Sequence, residues 1–135
     1  MIYTLEEKAR MDRLIAAFAD SIAASEEFEL LYSDKVGFLS MYVHNGSAEG
    51  IKEIKNFDDL LIFLFRQISG EVKALKLADG HYNVNLLPVE VEETRRRAVA
   101  ILNTLEEDRE YCLKRLEEYL ALAGMEFIVH KRGGV

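Results

Sequence analysis

The sequence predicts an α+β fold: a mainly antiparallel sheet in the order α-βββ-α-ββ-α, with a long C-terminal helix. Three patterns carry this expectation. Apolar residues recur at helical spacing near the N-terminus and again after Asn56, residues from Phe28 change to an extended pattern in which Ile51–Lys55 alternates apolar with charged, and Pro88–Ala123 runs 36 residues with neither Gly nor Pro after its first position. At 135 residues and half hydrophobic, the chain is expected to be a single domain, residues 1–135, with a real core.

Thr4-Leu5-Glu6-Glu7 fits a capping box, and Met11, Leu14, Ile15, Phe18 and Ile22 then recur along one face, which predicts a helix over 5–25. Leu30–Ser33, Val36–Val43 and Ile51–Lys55 read as a three-stranded meander, turning at Asp34-Lys35 and through the polar loop Asn45–Gly50. Asn56 caps the next helix, with Asp58 and Asp59 in the first turn and Phe57, Leu60, Leu61, Leu64 and Ile68 as the core stripe. Ile62, Phe63 and Phe65 make it apolar nearly all round.

Two readings compete after Ile68. A continued helix to Leu77 must carry Gly70 inside it, at about 1 kcal/mol. A hairpin over Val72–Leu86, turning at Asp79-Gly80, sorts Leu77, Tyr82, Leu75 and Val84 onto one face and Lys76, Asn83, Ala78 and His81 onto the other. The sequence favours the hairpin. Pro88 then opens the last helix and Gly124 stops it, with a short final strand over Met125–His130.

The long helix suggests self-association. At ~1.5 Å per residue it would span roughly 54 Å, against about 37 Å for a compact body of this size. Its seam includes Leu102, Leu105, Cys112, Leu116 and Tyr119, the candidate dimer interface, and Arg95 and Arg109 interrupt the heptad. A break near Asn103, where Thr104-Leu105-Glu106-Glu107 repeats the first capping motif, is the alternative that needs no partner.

The formal charge of −7 includes no basic cluster, which argues against nucleic acid. Arg95-Arg96-Arg97 point in different directions on a helix. The longest apolar run, Leu60–Phe65, is far below a membrane span, so neither membrane nor secretion is expected and a cytoplasmic setting is. Cys112 is the lone cysteine, at an apolar position among acids, and reads as a buried small hydrophobe. His44, His81 and His130 have no metal-ligand spacing, and no nucleophile elbow or phosphate loop is present. Catalytic, cofactor-binding and metal residues are therefore expected to be none.

The order of elements, size and acidity are similar to those of the small dimeric chaperones of bacterial secretion systems. That likeness is architectural, carries no residue motif and transfers no functional residue. The overlong apolar helix surface and the absence of catalytic signatures predict a non-enzymatic homodimeric interaction module, such as a small acidic chaperone or adaptor for another protein. The alternative is a small-molecule binder or enzyme using the polar face of the hairpin, with Lys76, His81, Asn83 and Asn85 as candidate ligand residues and Tyr42 as an addition.

Overall fold

A computed structural model describes residues 2–25, 28–44, 47–76 and 86–133. The fold is α+β, as the sequence predicts. Among the described residues the elements are α1 (Leu5–Ala17), α2 (Ala19–Ala24), β1 (Phe28–Ser33), β2 (Gly37–His44), β3 (Ser47–Ile54), α3 (Phe57–Lys76), α4 (Pro88–Leu102) and α5 (Arg109–Gly133). They fall into two compact units, residues 1–64 and 65–135, with the division inside α3.

In the first unit, Thr4 caps α1 by accepting from the Glu7 amide at 3.0 Å, as its motif predicts. The Glu7 carboxylate instead accepts from the amide of Phe57 in the first turn of α3, at 3.3 Å. The predicted helix over 5–25 is divided at Phe18, whose φ of −95° and ψ of 10° end α1 while its side chain is buried. The three strands form an antiparallel sheet in the order β1-β2-β3. The meander is therefore present, but β3 begins at Ser47, inside the stretch expected to be loop. A bulge sets two residues, Gly50 and Ile51, opposite Met41. Gly50 sits there at φ +59°, the left-handed conformation such a bulge requires and glycine accepts at little cost.

Tyr3 closes the end of this sheet. Its buried hydroxyl accepts from the Phe38 amide at 2.8 Å and donates to the Ile54 carbonyl, so it bridges β2 and β3. Its ring stacks on Phe38 with centroids 5.9 Å apart. Asn56 caps α3 as expected: its side chain accepts from the Asp59 amide at 2.9 Å, and Asp59 accepts in return from the Lys55 amide at 3.0 Å. The predicted stripe Phe57, Leu60, Leu61, Leu64 and Ile68 is buried throughout.

Three expectations are corrected in the second unit. Residues 72–76, the predicted first strand of the hairpin, are helical as part of α3, and residues 77–85 lie outside the described residues. The helix carries Gly70 within it, and a Cβ built there meets nothing within 4 Å. Gly70→Ala is thus expected to raise the unfolding free energy by about 0.5–1 kcal/mol, read as a higher urea midpoint with unchanged slope. Met125–His130 is not a strand, because α5 passes Gly124 without stopping and continues to Gly133.

The third correction is to the continuous helix over Pro88–Ala123. It breaks after Leu102, the alternative the sequence also allowed, and its halves form an antiparallel helical hairpin. The break uses neither Gly nor Pro. Asp108 adopts φ +64°, a conformation Asp tolerates better than most residues, and its carbonyl starts α5 by accepting from the Cys112 amide. Thr104 does not begin a helix; its hydroxyl donates back to the Ile101 carbonyl at 2.7 Å and closes α4. The two arginines that spoil the heptad are ties within this hairpin. Arg95 grips Glu117 with two bonds of 2.8 and 2.9 Å, and Arg109 donates to the Leu105 carbonyl in the turn.

The interior of this unit contains an unusual amount of polarity. Glu90 is 1% exposed; its carboxylate accepts from the Leu87 amide at 2.8 Å, capping α4, and pairs with Lys73 of α3 at 3.3 Å. Thr94, one turn on, is fully buried, and its hydroxyl has no hydrogen-bond partner among the described residues. Ser69 of α3 and Tyr119 of α5 share a hydroxyl bond of 3.0 Å.

Acids in this unit respond to pH in opposite directions. Hydrogen bonds from Arg96 and then Arg97 hold the Glu93 carboxyl down to about 2, and the Arg95 fork lowers that of Glu117. Their stabilising contributions are full above the ordinary value of 4.5 and are lost as pH falls through the lowered ones. Burial raises the Glu71 carboxyl, only partly offset by Arg97 at 3.9 Å. Its contribution is present below 4.5 and is lost as pH rises through the raised value. Glu71→Gln is therefore expected to raise the urea midpoint at pH 7 and to leave it nearly unchanged at pH 3.

Candidate interaction surface

The residues expected at a dimer face are accounted for inside one chain. Leu102, Leu105, Cys112 and Leu116 are buried in the second unit, and Tyr119 is half-buried, with its ring 5.6 Å from that of Phe65. The overhang that called for a second copy does not exist once the helix folds back. The candidate ligand residues lose their frame as well. Lys76 ends a helix rather than lining a strand, while His81, Asn83 and Asn85 lie outside the described residues. Tyr42 lies on β2.

The sheet offers a surface that was not singled out from sequence. Side chains of successive strand residues alternate between its two faces. On one face Tyr32, Phe38 and Ile54 share a row, joined by Phe28 and Leu30. The chain itself covers this face: Phe28 meets Phe63 of α3 edge to face, and Tyr3 and the Lys8 ammonium of α1 lie over the row. On the opposite face lie Leu31 beside Leu39 beside Glu53, then Glu29 beside Met41, with Ile51 placed there by the bulge. Leu31 is 46% exposed and Ile51 57%. Leu39, Met41 and Val43 on the central strand are half-buried, and Glu29 and Glu53 are exposed.

A signal for this surface was present in the sequence. Strands with one wet face alternate apolar with polar, whereas strands covered on both faces read as continuous apolar runs. Leu30-Leu31-Tyr32, Phe38-Leu39 and Met41-Tyr42-Val43 are runs of the second kind. These strands are composed for two-sided burial, and among the described residues of the first unit they are covered on one side.

Among the described residues, no three His, Cys, Asp or Glu are grouped to hold a metal ion, and no helix is long and apolar enough to cross a membrane. Cys112 is buried and unbridged. No family model, curated protein or solved structure matches this chain.

Proposed function

We propose that this chain is a non-enzymatic interaction module, of the kind a small acidic chaperone or adaptor would be, that binds another protein through the open face of its sheet. The observation that carries the reading is the mismatch between β1 and β2, patterned for burial on both faces, and a first unit whose described residues cover only one face. Self-association through the seam of α4 and α5 has less support, because its residues Leu102, Leu105, Cys112 and Leu116 are buried within the chain.

The test is site-specific photocrosslinking in the native host, with a benzophenone side chain at Ile51 and, separately, at Leu122. Leu122 is 61% exposed on α5 and serves as the control. The expected result is a discrete heterologous adduct from position 51, absent from position 122 and lost when Leu31→Asp is added. Equal adducts from both positions, or none from 51, would overturn the reading. An adduct of twice the mass of the chain would also overturn it, by showing that the face closes on a second copy.

A further inference from the structure

We infer that the occupant of the open sheet face is an amphipathic helix with basic flanks, contributed by a different protein; this rests on the open-face reading above. Charge is the first argument. The unit that contains the sheet, residues 1–64, has 12 acids against 6 bases, a net −6, whereas residues 65–135 have 12 against 11, a net −1. Nearly all of the net charge of the chain therefore belongs to the unit that contains the sheet.

None of the six bases of this unit is a strand residue of the open face; Arg13 is on α1. Lys8 pairs with Asp12 at 2.7 Å and lies 4.5 Å over the Tyr32 ring, on the covered side. Arg10 stacks over Phe57 at 4.2 Å. Lys35 and Lys55 lie past the ends of the strands, and Lys52 pairs in register with Ser40, which belongs to the covered face. The charged strand residues placed on the open face are Glu29 and Glu53, both acids and both exposed beside the apolar row. An apolar centre with an acidic rim favours a ligand that is apolar along one stripe and cationic beside it. A second copy fits poorly, since it would bring two −6 units together and oppose carboxylates to carboxylates.

Dimensions are the second argument. Three strands about 4.8 Å apart make a face roughly 10 Å across, the diameter of one helix. Strands of 6 and 8 residues are about 20–27 Å long, which a helix of about 13–18 residues spans.

The experiment titrates the full chain into a fluorescein-labelled 16-residue peptide with a leucine stripe flanked by lysines, at 50 and 300 mM salt. An acidic twin with glutamate for lysine and a scramble of equal composition are run beside it. The lysine peptide is expected to bind at least 10-fold tighter than either, and more weakly at high salt. Ile51→Asp and Leu31→Asp should each weaken it at least 5-fold, and Glu29→Lys combined with Glu53→Lys should weaken it at least 10-fold and favour the acidic twin. Both apolar positions are largely exposed, so these variants should keep their thermal unfolding midpoints. Binding of the scramble or the acidic twin within 2-fold, or indifference to the Glu29→Lys and Glu53→Lys pair, would overturn the inference. Failure of the peptides while the Ile51 adduct persists would reject the basic helix and leave the open-face reading standing. Failure of both would remove both.

Discussion

Gly37→Ala is expected to lower the unfolding free energy by about 3–5 kcal/mol, among the largest effects of any single substitution in the first unit. Gly37 begins β2 at φ +77°, where an L-residue pays about 1–2 kcal/mol. A Cβ there would also lie 2.5 Å from the Tyr3 hydroxyl oxygen and under 3 Å from two carbons of its ring. The ring has to leave, and the Phe38 amide and Ile54 carbonyl then lose a buried partner, at about 1–1.5 kcal/mol each. Because the two residues share one space, a double-mutant cycle with Tyr3→Ala should be strongly non-additive. The pair should cost markedly less than the sum of the singles, since alanine at position 37 no longer has a ring to displace. Additivity within about 0.5 kcal/mol would show that the backbone conformation alone sets the cost.

Lys73→Met is expected to cost about 3–5 kcal/mol in the second unit, because it strands the Glu90 carboxylate in the interior. The comparison that isolates this cause is Lys73→Met combined with Glu90→Gln. The amide carries no charge and its oxygen can still accept from the Leu87 amide, so the double variant should recover a large part of the loss. Urea unfolding of the four proteins measures this. If Lys73→Met costs under 1 kcal/mol, Glu90 draws its compensation from elsewhere, and the ion pair is incidental.

What could be read from sequence was what short-range spacing determines. The stripe Met11, Leu14, Phe18, the cap at Asn56 and the core face of α3 all follow from neighbours three or four positions apart, and all are in place. The misreadings share one origin, which is that local patterns admit more than one structure. Val72 and Leu75 suit a helix as well as a strand, and Asp79-Gly80 added a turn signal that outweighed the modest cost of Gly70 in a helix. The break between α4 and α5 has no Gly or Pro to announce it, because Asp108 supplies the left-handed residue. Arg95 and Arg109 looked like defects in a seam because their partners, Glu117 and the Leu105 carbonyl, become visible only when the chain has turned. The open sheet face is written in the apolar runs of β1 and β2, which match no site motif.

The bridge made by Tyr3 sets an order on biosynthesis. Its two partners lie 35 and 51 positions downstream, so Tyr3 leaves the ribosome well before them and must wait, unsettled, until Ile54 has followed it out. A stalled or truncated product ending before that point would present α1 and an unlatched pair of strands to whatever quality control surrounds it.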